Sequence, residues 1–260
     1  MEDHYGKDGK RKFKGKGKGY VSLMLLLMVF ALWGLYGILQ SDFFNLKTVV
    51  VKDHQKVMEE EILEASKLIF DRSILKIDLE EVEENITFLP YIRQAKVERK
   101  LPSKLIIQVK EREDYAIISY MGKFIYIDKE GVILKSVDSY IFNELPLING
   151  TKITSYKLGE KVLAENFDTL MDSLVLIEAS KLTDMTESIS EIDILNKGLL
   201  RLSTVDGNEV LLAEGNNHVY SMLALKDIMA ALYSMNRTNV IIDLRFEGHV
   251  TVKDREGQEE

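Results

Sequence analysis

The sequence contains no cysteine, which rules out disulfides, thiolate metal sites and a cysteine nucleophile. Histidine is scarce: there are four, His4, His54, His218 and His249, and none stands in H-E-x-x-H or a comparable ligand spacing. No G-x-S-x-G elbow occurs. The carboxylate runs Glu59-Glu60-Glu61 and Glu80, Glu81, Glu83, Glu84 lie on amphipathic helical patterns, where they read as solvated faces rather than metal sites. His218 stands near a helix start and reads as a packing or capping residue. Gly15-Lys16-Gly17-Lys18-Gly19 resembles a phosphate-cradling loop only superficially, because such a loop follows a strand and opens a soluble helix. No catalytic residue, cofactor site or metal site is nominated. Gly34 and Gly37 do not make G-x-x-x-G, so no helix dimer is expected. No internal repeat and no low-complexity linker follows residue 20.

Charge is also missing from one long run. Tyr20–Leu39, YVSLMLLLMVFALWGLYGIL, has no charged residue in 20 positions. As a helix it is about 30 Å long, the thickness of a bilayer's hydrocarbon core, and a helix satisfies its own backbone in lipid. A cleaved signal peptide has a shorter apolar core and a small-residue cleavage site, and Leu39-Gln40-Ser41-Asp42 offers none. A buried core helix normally shows a polar face. The reading is an uncleaved anchor, with Tyr20 and Leu39 at its ends and Trp33 and Tyr36 in its outer half, followed by Phe43 and Phe44. Lys7, Lys10, Arg11, Lys12, Lys14, Lys16 and Lys18 precede the run, which places the N-terminus in the cytoplasm and the bulk of the chain outside, as a single-pass type II protein.

The net charge of −8 is unevenly spread. Residues 1–40 carry seven basic and three acidic groups, so the remainder carries −12. The basic tail is attracted to an anionic inner leaflet. The acidic outer part is not built to bind nucleic acid through bulk charge.

Two outer units are expected, with a basic tail at 1–19, the span at 20–40 and a short charged end at 254–260. The first outer unit is 44–113. Residues 46–52 are rich in β-branched side chains and predict a strand. Met58, Ile62, Ala65 and Ile69 recur at helical spacing and predict a helix over 57–70. Asp78 with Glu81 reads as a capping box for a second helix whose face is Leu79, Val82, Ile86 and Leu89, closed by Pro90. Residues 91–100 and 104–112 are strands about the turn 101–103, with Leu105, Ile107 and Val109 on one side. Arg99 and Glu111 are candidates for a cross-strand pair. The order is β-α-α-β-β.

The second unit is 114–253. A hairpin is expected at 116–127 around Met121-Gly122, a strand at 132–135 and a turn-rich crossing at 145–150. A helix over 166–180 shows Phe167, Leu170, Leu174 and Ile177 on one face. Strands follow at 190–194, 199–204 and 209–213, the last two joined about Asp206-Gly207. A second helix spans 218–234 with Leu225, Ile228 and Leu232 inward. Closing strands lie at 240–246 and 250–253. The fold class is α+β: an N-terminal transmembrane helix, then the β-α-α-β-β unit, then a mixed-sheet β-domain with two helices.

These residues carry a resemblance. FFNLKTVVV, then EEEILEASKL, then FLPYIRQAKVERKLPSKLIIQVKERE is similar to the polypeptide-transport-associated (POTRA) domain of the FtsQ/DivIB bacterial cell-division family. The most specific string is Leu89, Pro90, Tyr91, Ile92, Ala95, Val97, Arg99, Pro102, Leu105, Ile107, Val109 and Glu111. EIDILNKGLLRLSTVDGNEVLLAE and NVIIDLRFEGHVTVK resemble that family's β-domain.

The resemblance implies a non-enzymatic divisome scaffold at the septum. Its implied partners are small bitopic division proteins of the FtsL and FtsB/DivIC type, together with the septal peptidoglycan synthase complex. It nominates Arg245, Phe246, Val250 and Val252 as partner-binding residues near the end of the β-domain. The alternative for the same stretch is that Asp243–Arg245 is a structural ion pair and Phe246 is core. The sequence leaves open which strand is the sheet's edge. Rival functions are a POTRA-type translocation or assembly factor, an anchored cell-wall enzyme and a ligand-sensing domain. The first predicts tandem units or a barrel, the second a cleft with perturbed titratable groups, and the third an apolar pocket.

Overall fold

The computed structural model describes residues 17–39, 41–140, 145–196, 198–246 and 248–255. The expected basic tail lies outside them up to residue 16, and the expected charged end from residue 256. Helix α1 is Gly17–Leu39, and its Tyr20–Leu39 stretch is long and apolar enough to cross a membrane. The strand β1 (Thr48–Lys52), the helices α2 (Glu59–Ala65) and α3 (Leu79–Thr87), and the strands β2 (Ile92–Lys100) and β3 (Lys104–Glu111) follow in the expected β-α-α-β-β order. The strands form a three-stranded sheet ordered β1-β3-β2. Leu105, Ile107 and Val109 of β3 are buried, as period-two alternation requires.

Helix α2 is shorter than its pattern predicts. Of Met58, Ile62, Ala65 and Ile69 only Ile62 is fully buried. Met58 caps the helix in extended backbone and Ile69 is exposed. The helix stops because the Ser66 hydroxyl donates to the Leu63 carbonyl at 2.6 Å and Lys67 takes a left-handed φ of 51°. Helix α3 behaves as expected, with Val82 and Ile86 buried.

Arg99 and Glu111 do not pair with each other. Arg99 donates from Nε to the Ile74 carbonyl at 2.9 Å and from Nη2 to the Ile77 carbonyl. Glu111 accepts the backbone N–H groups of Gln55, Lys56 and Val57 at 3.0, 2.9 and 3.0 Å. Each charged end satisfies loop backbone that has no strand partner. Burial works to raise the Glu111 carboxyl, but the three N–H donors outweigh it and hold the group below the usual glutamate range.

By internal packing the chain divides into two compact units. One comprises residues up to Val50 with Ile69–Leu79 and Glu98–Ile106, and the other Val51–Leu68 and Glu80–Val97 with residues from Ile107 on. In the first, Asn45 bridges Ser73, the Leu46 N–H donates to Arg72 O at 2.9 Å, and the Lys47 N–H donates to Ser103 O at 2.9 Å.

The second unit carries the larger sheet. The strands β4 (Ala116–Tyr120) and β5 (Lys123–Ile127) form the expected hairpin, with Met121 and Gly122 at φ 47° and 76° as a two-residue type I′ turn requires. They are followed by β6 (Ile133–Val137), β7 (Leu147–Asn149), β8 (Ile153–Ser155), β9 (Leu163–Ala164), α4 (Phe167–Leu182), β10 (Ile189–Ile194), β11 (Leu199–Thr204), β12 (Glu209–Ala213), α5 (His218–Ser234), β13 (Val240–Asp243) and β14 (Thr251–Asp254). The strands β8 and β9 pair with each other. The rest build one mixed sheet of nine, ordered β14-β13-β12-β11-β10-β7-β4-β5-β6.

The crossing expected at 145–150 is in fact strand β7. It pairs in parallel with Ile117 and Ile118 of β4 on one side and with 191–193 of β10 on the other. Ile148 joins the main core, while Leu147 packs on the opposite face with Ile117 and Tyr126.

Helices bridge two parallel strand pairs, α4 between β7 and β10 and α5 between β12 and β13. Both crossovers step the same way along the sheet, so crossovers of the usual right hand put both helices on one face. There α4 and α5 pack together. Leu170, Leu174, Ile177, Met222, Leu225 and Leu232 meet Ile118, Ile125, Ile148, Ile192, Leu202 and Ile242 in one core. Each such buried side chain contributes roughly 1.5–3 kcal/mol.

Two measurements check this account. Gly150 has φ 77°, and a Cβ there would stand 2.3 Å from the Ile194 carbonyl oxygen, whereas Gly122 at φ 76° has nothing within 4 Å. Left-handed strain alone costs about 1–3 kcal/mol. In urea unfolding of the detergent-solubilised chain, Gly150→Ala is expected to lose more than that and Gly122→Ala to stay within it. The depressed Glu111 carboxyl stabilises the fold fully above the ordinary glutamate pKa of about 4.3, and that contribution is lost as pH falls through the lower folded-state value. The thermal midpoint of Glu111→Gln should therefore lie below that of the unsubstituted protein at pH 7, with the gap closing on acidification.

Candidate partner-binding edge of the large sheet

The outermost strand of a sheet keeps one row of N–H and C=O groups without a ladder partner. The two ends of the large sheet differ. At one, the start of β6 is covered: the Ile133 N–H donates to Glu160 O at 2.9 Å, the Gly159 N–H donates to Ile133 O at 2.8 Å, and Val132 bridges Lys161. At the other, β14 pairs antiparallel with β13, setting Val252 opposite Ile242 and Thr251 opposite Asp243. Among the described residues no strand lies on its far side.

The four nominated residues lie along this end. Phe246 is 69% exposed and so is not core, and Val250 is 49% exposed. Val252 is half-buried and packs against the main core. Arg245 forks onto Asp243, donating from Nε to Oδ1 at 2.8 Å and from Nη2 to Oδ2 at 2.5 Å. The Arg245 N–H also donates to Asp243 Oδ1 at 3.1 Å. The Arg245 side chain holds the Asp243 carboxyl below the usual aspartate range, with burial opposing it and the backbone donor assisting. The ion pair is thus formed, and it turns the guanidinium beside Phe246, 5.9 Å from its ring centre.

The way β13 ends was not foreseen. The Leu244 N–H continues the ladder to Leu211 O at 2.9 Å, and Asn216 Nδ2 donates to Leu244 O at 3.2 Å. The adjacent Asn217 caps α5, its Oδ1 accepting the Tyr220 N–H at 3.1 Å. The Asn-Asn pair before a helix was the available sequence signal. His218 is buried, with Nε2 2.9 Å from Asp172 Oδ2. In α1 the side chains of Tyr20, Trp33 and Leu39 are exposed.

A second set of charged groups lines a cavity of about 410 Å³. Arg112 meets Asp128 at 2.5 Å and Glu130 at 3.0 Å, Arg93 pairs with Glu130, and Tyr115 donates to Glu178 at 2.6 Å. The shift at Glu130 is downward, caused first by the Arg112 hydrogen bond; at Arg112, burial is outweighed by its two carboxylate partners and the shift is upward. These are the directions of ion pairing. A general acid needs a carboxyl raised toward neutrality. Lys181 is lowered by burial, and its ammonium sits over the Tyr115 ring at 3.7 Å.

One candidate membrane helix among the described residues, a POTRA-like unit and a larger mixed sheet define the class as an α+β protein with an N-terminal apolar helix. Comparison with known proteins gives the family. The profile for the FtsQ-type POTRA domain matches residues 44–112, and that for the C-terminal part of the cell division protein FtsQ/DivIB matches residues 116–245. Cell division protein DivIB of Clostridium tetani is 30% identical over 196 residues, covering 72% of this chain and 73% of that one. Cell division protein FtsQ of a Geobacter species is 27% identical over 249 residues, covering 93% and 88%. A solved structure of the major extracytoplasmic domain of DivIB from Geobacillus stearothermophilus aligns over 49% of this chain and 98% of its own, at 17% identity and a TM-score of 0.31. The chain belongs to the FtsQ/DivIB family of cell-division proteins.

Ion pairs with a solvent-exposed partner add little to global stability, so the role of Asp243 is better read locally than globally. Asp243→Ala should leave the unfolding midpoint little changed, yet clearly accelerate hydrogen exchange at the Arg245 amide. Unchanged exchange there would show that Asp243 does not order this turn.

Proposed function

We propose that this chain is a non-catalytic scaffold of the divisome that adds strands or side chains of partner proteins to the β14 edge. The observation that carries the reading is the open side of β14, with Phe246 and Val250 exposed beside it. An unpaired strand binds an extended segment through backbone hydrogen bonds, and neighbouring side chains select the sequence. Arg245, Phe246, Val250 and Val252 supply that selection. The partners are small bitopic proteins of the FtsL and FtsB/DivIC type, and through them the septal peptidoglycan synthase complex.

Residues 1–19 are the cytoplasmic tail, α1 is the type II anchor, 44–113 is the POTRA domain and 114–253 is the β-domain. The protein is enriched at the septum. Anchoring confines partners to one plane and raises their local concentration, so weak contacts suffice. Two further points favour this reading over its rivals. The Arg112 network is directed toward ion pairing rather than proton transfer, and the residues lining the groove of about 590 Å³ are nearly all charged or amide-bearing, among them Lys56, Lys96, Gln108, Lys110 and Glu111.

Pull-down from solubilised membranes tests it. Phe246→Asp with Val250→Asp should sharply reduce recovery of the bitopic division proteins while leaving the unfolding midpoint near that of the unsubstituted chain. Full recovery from the folded double variant would count against this edge.

A further inference from the structure

The loops beside the end of α1 expose a set of apolar side chains that the binding edge does not use. The chain leaves the helix without slack. The Ser41 N–H donates to Ile38 O at 3.2 Å, the Phe44 N–H to Ser41 O at 3.4 Å and the Asn45 N–H to Asp42 O at 3.1 Å. Asn45 follows Leu39 by six residues, so it lies within about 20 Å of the helix end at full extension and nearer with Asp42–Phe44 in a tight turn. The headgroup layer on one side of a bilayer is about 5–8 Å thick. Residues that bond to 45–48 are therefore held close to the lipid surface if α1 spans.

Two loops do so. Asn45 bridges Ser73, the Leu46 N–H donates to Arg72 O at 2.9 Å, and the Asp71 N–H donates to Leu46 O at 3.1 Å. Ser103 O accepts the Lys47 and Thr48 N–H groups at 2.9 and 3.3 Å. These loops present Ile69, Phe70, Leu75 and Leu101, and the turn before them presents Phe43; all five are exposed. Ile74, between Phe70 and Leu75, is fully buried, so the loop has its own inward anchor and its exposed side chains are not a failed core. The local charge also departs from the acidic remainder of the outer part. Among 42–50, 69–79 and 98–106 there are six basic residues and four acidic ones.

We infer that Phe43, Ile69, Phe70, Leu75 and Leu101 form a rim that enters the outer headgroup layer of the membrane around the exit of α1. Lys47, Arg72, Lys76, Lys100 and Lys104 serve the phosphates beside it. Apolar side chains flanked by basic ones are what an interfacial lipid contact requires. Lipid is favoured as occupant because the rim is continuous with the span through six residues. The rim fixes the first outer unit against the membrane rather than leaving it on a swivel. This inference rests on α1 crossing the bilayer.

The absence of cysteine and the single tryptophan, Trp33, make the test direct. The full chain is reconstituted in vesicles of phosphatidylcholine and phosphatidylglycerol doped with nitroxide lipid. Phe70→Cys, Leu101→Cys and Met121→Cys variants each carry an environment-sensitive fluorophore, with the exposed Met121 turn as solvent reference. The rim predicts blue-shifted emission and quenching by the nitroxide lipid at positions 70 and 101 but not at 121, together with quenching of Trp33. Quenched Trp33 with labels at 70 and 101 matching 121 would overturn the rim and leave the span standing. Unquenched Trp33 would overturn both, and equal quenching at all three labels would reject a localised rim.

Discussion

Three residues, Leu147, Ile148 and Asn149, carry the continuity of the nine-stranded sheet. On one side of them lie β4, β5 and β6; on the other lie β10 to β14, including the open edge. Parallel pairing on both flanks demands that both faces of β7 be covered, and they are, by Ile148 under the helices and Leu147 on the reverse. The position is confined further by Gly150, whose left-handed backbone passes close against the Ile194 carbonyl. The main core, the placement of α4 and the distance from the hairpin to the β14 edge all follow from this seam.

Elements with a long repeating pattern were legible before the fold was known. Helix α4 announced Leu170, Leu174 and Ile177, and the hairpin announced Met121-Gly122. Strand β7 was hidden because three residues between Pro146 and Gly150 hold no period, and the flanking residues speak only of turns. The overlong reading of α2 had the opposite cause: Met58 and Ile69 keep helical spacing by coincidence while standing outside the helix. For Arg99 and Glu111 the sequence located the charges but not their partners, which are carbonyl and N–H groups distant along the chain. The edge residues were named through resemblance, whereas the exposure of Phe246 and the anchoring of β13 by Asn216 depend on which strand is last in the sheet, a property no local pattern encodes.

The chain beyond α1 holds its shifted carboxyls in fixed pairings. Its shifted carboxyls are lowered by guanidinium or backbone donors, and such groups lend geometry at neutral pH without exchanging protons. With no disulfide to draw on, stability falls to the apolar face beneath α4 and α5 and to charged side chains that finish the backbone of loops.

Among the described residues β14 is the last strand of the sheet in chain order, and it reaches its place only after α5 has carried β13 alongside β12. Translation runs from the N-terminus, so during synthesis the border of the sheet is first β12 and later β13. The border formed by β14 does not exist until the ribosome has passed Asp254. A chain that stops short of β14 has no such border, so this side of the sheet is a feature of the folded molecule alone.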